Sequence, residues 1–354
     1  MAEELLVVGE LHQDLYYESD FYENLAEKIT DRIINFIKYN PDDLLNRALL
    51  EKMVKGGFGD TPKKIIGHCY FKRGGNGNNS SEFLARLGIP TKLMSVIGRG
   101  SEWMIPELKK LGINTDSIFQ IDEITPVSTI IKSNFTTKIH LAPNLKNKMN
   151  FGGVEIKEEN FNDVKIIFST PIAEKFIAIF EQGYTRGLIT AYNIETQKIR
   201  DIEKLDRLIN HRYDLFFLNF KDAKFILGEN ISVEEADAVF KKYAKIRVYT
   251  AGKDGSHIIT DHFTIYFPGI EVSNVVDRTG AGDCYAAGFL TILMESVKNK
   301  AELDDLMKDR QEEFKSILKS CGEFATHSAI YKITKQKPPE RKELDAFMDS
   351  FKIK

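Results

Sequence analysis

The chain has 354 residues, of which 42% are hydrophobic and 29% charged, and this composition is typical of a globular protein with a sizeable core. A formal net charge of −3 argues against nucleic acid and anionic membranes as partners, and no apolar stretch is long enough to span a bilayer. Three widely spaced cysteines and the lack of a signal-peptide pattern argue against a disulfide framework and a zinc site, and favour a cytoplasmic protein.

Short apolar segments alternate with helix-like segments along most of the chain. Strands are predicted at 5–8, 93–97, 164–168, 187–191, 215–218 and 246–250, followed by a hairpin at 257–260 and 264–267. Helices are predicted at 80–87, 102–111, 172–182, 201–210, 222–227 and 233–243, with further helices to about residue 348. Because such alternation is typical of a parallel sheet covered on both faces, we predict an α/β fold with three layers.

Two segments depart from this alternation. Residues 19–60 are charged and have apolar residues at helical spacing, and a strand-like segment follows at 65–71. Residues 125–141 alternate apolar and polar side chains, which predicts a half-exposed pair of strands. With no internal repeat and no low-complexity linker, one domain over 1–354 with protruding elements is favoured. The basic run 332–337 is predicted to be solvated surface.

The most informative motif runs from Val275 to Leu290. A glycine-rich turn leads into an apolar helix, so backbone N–H groups at the helix start are predicted to point at one spot. That spot suits a phosphate group, and Asp283 lies where it could take a proton from an attacking hydroxyl. In isolation the pattern also fits an ordinary turn with a helix cap. Cys284 is predicted to be a small buried residue and not a nucleophile.

Two further segments have the composition of ligand-binding loops. The run 72–80 contains three glycines and three asparagines, whose amides offer the donors and acceptors that sugar hydroxyls need. A flexible turn that caps the following helix is the alternative. Asp14 follows the first predicted strand and is expected at the mouth of the sheet, where parallel sheets bind ligands.

Two more segments follow predicted strands in the second half of the chain. Asn219 and Asp222 are three residues apart at a helix start, which suits a hydrated Mg²⁺ near phosphates, although plain N-capping explains the pair equally well locally. The turn Thr250–Gly255 has the small residues that let a backbone lie against a nucleotide.

The order of these segments is more specific than any of them alone. On this order, the chain resembles the ribokinase-like (PfkB) carbohydrate kinases from Leu5 to about Phe347, apart from 19–60. Asp277–Leu290 is the most specific part of the resemblance, and the run 74–79 comes second.

The resemblance implies an ATP- and Mg²⁺-dependent kinase that phosphorylates a hydroxyl of a small sugar, with a primary CH2OH group as the expected acceptor. Asp283 would be the catalytic base, and the anion hole would consist of the N–H groups of Gly280, Ala281 and Gly282. The sugar would be held by Asp14, Gly75, Asn76 and Asn79. The nucleotide would be lined by Thr250, Gly252, Gly255 and Thr326, with Asn219 and Asp222 organising Mg²⁺ through water. Asp277 and Thr279 match positions that lie by a monovalent cation such as K⁺ in many relatives.

The resemblance also assigns a lid to about 15–72 and 120–141, with the helical insertion at about 19–60 as a cap or a homodimer contact. Three departures stand out: Asp222 replaces the usual Glu, Arg278 replaces a small residue, and Ser169 replaces an acid that contacts the sugar in ribokinases. A nucleoside kinase of the same fold, a non-catalytic homologue and ADP as the donor stay open as alternatives.

Overall fold

The structure, a computed structural model, describes residues 3–19, 21–39, 48, 51–52, 54–56, 66–132, 138–141, 148–196, 199–272, 275, 278–335 and 337–350. The chain forms two compact units. The larger consists of Met1–Leu11, Gly74–Thr125 and Asn147–Lys354, and the smaller of His12–Arg73 and Pro126–Lys146. The expectation of one domain with a lid stays a prediction.

The described strands and helices are numbered here in chain order. The strands are β1 (Glu4–Gly9), β2 (His12–Glu18), β3 (His68–Gly74), β4 (Thr91–Arg99), β5 (Ile118–Ile124), β6 (Val127–Lys132), β7 (Lys138–Leu141), β8 (Val164–Thr170), β9 (Ile189–Ile194), β10 (Tyr213–Asn219), β11 (Ala244–Thr250), β12 (Ser256–Ile259) and β13 (Thr264–Phe267). The helices are α1 (Phe21–Tyr39), α2 (Asn76–Arg86), α3 (Met104–Lys110), α4 (Glu174–Thr185), α5 (Ile202–Leu208), α6 (Phe220–Leu227), α7 (Val233–Phe240), α8 (Ala281–Ser296), α9 (Lys300–Asp309), α10 (Gln311–Lys335) and α11 (Arg341–Ser350). None of these helices is long and apolar enough to cross a membrane.

The larger unit is built on a nine-stranded sheet in the order β13-β12-β11-β10-β9-β8-β1-β4-β5. All neighbours pair in parallel except β11–β12 and β12–β13, which form the predicted hairpin edge. The carboxyl ends of β1, β8, β9, β10 and β11 therefore meet at one edge of the sheet. In such sheets that edge is where ligands bind.

Helices cover both faces of this sheet. Along β1, Leu5 and Val7 pack on one face, while Leu6 and Val8 pack on the other. The first face is covered mainly by α2, α8 and α10, and the second by α4 to α7. The predicted three-layer α/β architecture is confirmed, because strands buried on both sides need apolar helices above and below them.

The smaller unit contains the four-stranded sheet β3-β2-β6-β7 and helix α1. The strand pair predicted in 125–141 is confirmed as β6 and β7, which are antiparallel. Asp14 follows the first strand as expected, lies within β2 and pairs with Ser128 of β6, and its expected role at the mouth of the large sheet stays a prediction. Main-chain pairing with β6 makes this polar segment a strand, although it has no apolar run of its own.

Candidate functional site

Helix α8 begins with a glycine in a left-handed conformation. Gly280 has φ +76° and ψ 6° and is the N-cap of the helix. Such a conformation strains residues that carry a Cβ atom, so glycine is the favoured residue at this turn. A Cβ atom at Gly280 would lie 3.6 Å from the Phe83 ring and 3.8 Å from Lys332 Cε, so both side chains border the helix start.

The main-chain N–H groups at this turn are only partly available. The N–H of Ala281 donates to the Arg278 carbonyl at 3.2 Å, so Ala281 is not among the free donors that the sequence suggested. Within the part of the chain that the structure describes, the N–H groups of Gly280 and Gly282 have no protein acceptor. A Cβ atom on Gly282 would have no atom of another residue within 4 Å, so the space beside it is open. These two amides, which have no acceptor among the described residues, and the positive end of the helix dipole favour an anion there.

Asp283 lies in the first turn of α8 and is half-buried. Asn79 Nδ2 donates a hydrogen bond to Asp283 Oδ2 at 3.3 Å. Partial removal from water raises the pKa of the Asp283 carboxyl to about 6, while the Asn79 amide and the charge of Lys332 act in the opposite direction. A carboxylate with a pKa just below neutral suits the acceptance of a proton.

Helix α2 is held against the end of β1 by a contact between two glycines. A Cβ atom on Gly77 would lie 2.6 Å from the carbonyl carbon of Gly9, and one on Gly9 would lie 2.7 Å from Gly77 Cα. The N–H of Asn78 also donates to the Glu10 carbonyl at 3.1 Å. This close approach brings the first turn of α2 to the carboxyl edge of the sheet.

The asparagines predicted to lie in a turn form the first turn of α2 instead. The helix begins at Asn76 and not at Ser80, with Gly75 as its N-cap. Asn76 and Asn79 are three residues apart and therefore lie on one face of the helix. Asn79 contacts Asp283, and Asn76 Nδ2 donates to the carboxylate of Glu195 at the end of β9.

The pair predicted to organise Mg²⁺ lies at the end of β10. Asn219 Oδ1 accepts the N–H of Lys221 at 2.9 Å, so the N-capping interpretation of this residue is confirmed. Asp222 Oδ1 accepts the hydroxyl of Thr196 at 2.7 Å. No group of three His, Cys, Asp or Glu side chains suited to a metal occurs among the described residues. A single oriented carboxylate fits Mg²⁺, which retains several waters and binds substrate phosphates.

The residues predicted to line a nucleotide lie at the end of β11 and on α10. Thr250 ends β11, and the turn closes through a hydrogen bond of 2.7 Å from Ala251 N–H to the Gly255 carbonyl. Gly252 begins the short 3₁₀ turn between them. A Cβ atom on Gly255 would meet the Phe267 carbonyl oxygen at 2.0 Å, so the turn lies directly on the end of β13. Thr326 on α10 is half-buried and donates to the Gly322 carbonyl at 2.8 Å.

For the remaining residues that the sequence suggested, the structure gives a position for all but Asp277. Asp14 lies in the smaller unit, with its Oδ1 atom 3.2 Å from His12 Nε2, so its expected grouping with Gly75, Asn76 and Asn79 stays a prediction. Thr279 is exposed, and Asp277 lies outside the described residues. Arg278 is exposed, whereas Ser169 and Cys284 are fully buried, as expected for Cys284.

Sequence reasoning missed three residues that the fold brings to this edge. Glu195 and Thr196 directly follow β9, and their position after a strand of a parallel sheet was the available signal. Lys332 belongs to the run predicted to be solvated, yet it is half-buried and its side chain borders Gly280. Nothing local in the sequence marks Lys332, because its position depends on how α10 packs against α8.

Known proteins that this chain is similar to include several that are described as kinases. A family model described as pfkB family carbohydrate kinase matches residues 53–338. A nucleoside kinase of Methanocaldococcus jannaschii is 28% identical over an alignment of 227 residues, and the match covers 62% of this chain and 71% of the relative. A 5-dehydro-2-deoxygluconokinase of Geobacillus thermodenitrificans is 24% identical over 259 residues, covering 62% and 72%.

The fold itself matches a crystal structure of ribokinase from Thermotoga maritima. The TM-score is 0.67 at 18% identity, and the match covers 98% of this chain and 99% of that chain. At this identity the likeness establishes the fold alone.

Proposed function

Because the chain belongs to the pfkB family of carbohydrate kinases, we propose that it transfers the γ-phosphoryl group of ATP to a hydroxyl group of a small sugar. The observation that carries the proposal is the position of Asp283. Its carboxylate, with a pKa of about 6, lies in the helix turn whose Gly280 and Gly282 amides have no acceptor among the described residues. A base and an anion site thus lie within one turn of α8.

Each residue of the site has a separate role in the proposed reaction. Asp283 takes the proton of the acceptor hydroxyl as its oxygen forms the new bond to phosphorus. The bond from the γ-phosphorus to its bridging oxygen breaks, and ADP leaves with that electron pair. The N–H groups of Gly280 and Gly282 stabilise the charge on the phosphoryl oxygens. Asn79 holds the carboxylate of Asp283 in place through its hydrogen bond.

A divalent cation fits the end of β10. Asp222 would hold Mg²⁺ through water, with Thr196 fixing the carboxylate and Asn219 alongside. When bound, Mg²⁺ neutralises phosphate charge during the transfer. Thr250, Gly252, Gly255 and Thr326 are the proposed nucleotide residues, and Thr279 with Asp277 the proposed ligands of K⁺.

The acceptor side is proposed from the resemblance together with the contacts of α2. Gly75, Asn76 and Asn79 would contact the acceptor, with Asp14 as a further candidate ligand. A primary CH2OH is the preferred acceptor because it is the least hindered hydroxyl of a sugar. The lid at about 15–72 and 120–141 would exclude water, and a homodimer through this lid belongs to the same proposal.

The nucleoside kinase relative favours a second acceptor class, since a nucleoside also carries a primary CH2OH on a sugar ring. A panel of sugars and nucleosides, assayed for ADP release with and without K⁺, separates the two classes. The same panel run with ADP as the donor tests that alternative. We expect turnover of at least one acceptor by the native protein.

The variant Asp283→Asn tests whether Asp283 is the catalytic base. It should retain the fold and ATP binding but lose on the order of 10²–10⁴ in kcat. Near-normal turnover by this variant would show that Asp283 is not the base. ATP binding without turnover of any acceptor by the native protein would favour a non-catalytic homologue.

A further inference from the structure

Lys332 is directed at the start of α8 by the antiparallel packing of α8 against α10. A Cβ atom on Gly288 would lie 3.0 Å from Ala325 Cα, so the two helices are in close contact there. One turn earlier on α8, Cys284 Sγ contacts the Ser328 carbonyl at 3.3 Å. One further turn leads to Gly280 on α8 and Lys332 on α10. The register of this packing therefore fixes the position of Lys332.

The described acidic side chains near Lys332 form no ion pair with it, although its charge acts on the Asp283 carboxylate. Among the described residues, none lies within the 4.0 Å of an ion pair with its Nζ atom, although the side chain is half-buried. The helix N-terminus beside it carries partial positive charge, and the amides of Gly280 and Gly282 add to that charge. A lysine at this end of a helix is unfavourable on its own, and an anion bound at the amides removes the repulsion.

We propose that Lys332 supplies a fixed positive charge to the anion site of α8 and stabilises the phosphoryl group during its transfer. This inference rests on the proposed function, since it assigns a charge partner to the transferred group. Lys332 forms no covalent bond in the reaction. Its charge acts on the phosphoryl oxygens at the moment when the bond to the bridging oxygen weakens.

The same charge acts on the base. Among the described residues, the side chains that influence the Asp283 carboxylate are Asn79 from α2 and Lys332 from α10, and both favour its ionised form. Removal of the Lys332 charge should therefore move the acid limb of the pH–rate profile to higher pH. A purely structural role for the lysine would leave that limb in place.

The test compares three variants at a fixed K⁺ concentration. Lys332→Met keeps the aliphatic stem that packs beside Gly280 and removes the charge, while Lys332→Arg keeps a charge. Lys335→Met removes an exposed lysine from the last turn of the same helix. We expect kcat to fall about 10- to 100-fold in Lys332→Met and to recover to within several-fold of the native value in Lys332→Arg. Lys335→Met should match the native protein.

Two measurements keep this inference separate from the proposed function. Inorganic phosphate binding, followed by calorimetry, should weaken about 10-fold in Lys332→Met, and the carboxyl NMR titration of Asp283 should move to higher pH. If the native protein turns over an acceptor while Lys332→Met shows unchanged phosphate binding and an unchanged titration, the role of Lys332 is overturned and the proposed function is not. Absence of native turnover overturns the proposed function, and phosphate binding then still decides whether Lys332 belongs to an anion site.

Discussion

Asn79 donates a hydrogen bond of 3.3 Å to Asp283 although the two residues are 204 positions apart in the chain. The contact joins the first turn of α2 to the first turn of α8. It brings together the glycine motif at 275–290 and the asparagine-rich run at 72–80. A second contact, from Asn76 to Glu195, joins the asparagine-rich run to the end of β9.

Replacement of Asn79 by alanine should change the pH dependence of the reaction. The amide stabilises the ionised carboxylate, so its loss should raise the pKa of Asp283 above about 6. The acid limb of kcat/KM should therefore move to higher pH. Asn299→Ala, which removes the N-cap of α9, is the stability control and should leave the limb in place. An unchanged limb in Asn79→Ala would contradict the pairing.

Replacement of Asp283 by asparagine should stabilise the free protein at neutral pH. The folded state holds the proton of Asp283 up to pH about 6, whereas the unfolded chain releases it near 4. The native state therefore binds more protons in this window, and the free energy of unfolding falls as the pH rises from about 4 to about 6.

The variant lacks this loss of stability. The free energy of unfolding of Asp283→Asn should equal that of the native protein below pH 4 and exceed it by on the order of 1–2 kcal/mol at pH 7. This difference is smaller than full burial would imply, because the residue is half-buried. Urea unfolding at both pH values measures the difference. Equal stabilities at pH 7 would contradict the raised pKa.

Alanine substitution should lower stability at Gly77, and should lower activity without a loss of stability at Gly282. A Cβ atom on Gly77 collides with the backbone of Gly9, so Gly77→Ala should destabilise the fold by about 1–3 kcal/mol. Gly282→Ala meets open space and should retain the native melting temperature. Its methyl group would enter the anion site, so kcat should still fall about tenfold or more. A fully active Gly282→Ala would place the anion elsewhere.

Substitution of Asp222 should change the Mg²⁺ requirement. Asp222→Asn should raise the Mg²⁺ concentration for half-maximal rate about tenfold, because a carboxylate that holds the hydrated ion is lost. Thr196→Val should have a smaller effect, because it removes only the hydroxyl that orients the carboxylate. Mg²⁺ titrations of the rate measure both. An unchanged requirement in Asp222→Asn would remove this residue from the metal site.

Much of the large sheet could be predicted from the sequence. Segments such as 164–168 and 215–218 are short and mostly apolar, with Lys165 as the one polar residue in the two, and strands buried on both faces need that pattern. The strands β2 and β5 were not predicted, because their half-exposed polar residues do not form such runs. The start of α2 was placed four residues too late, since a run of Gly and Asn indicates a turn more strongly than a helix.

The sequence predicts the parts of the site that have a local motif and misses those that depend on conformation. Asp283 and its turn were recognised because a glycine-rich helix start has a local signature in the chain. The hydrogen bond that occupies Ala281 depends on the conformation of the turn, which residue types do not specify.

The sequence by itself determined the α/β architecture and the motif around Asp283, because hydrophobic periodicity and turn chemistry act over a few neighbouring residues. Only the tertiary structure decided that Asn79 contacts Asp283, that Glu195 meets Asn76, and that Lys332 borders Gly280. These contacts arise where separate helices and strand ends pack together. The register of that packing is set by many side chains at once, so no single segment of the sequence encodes it.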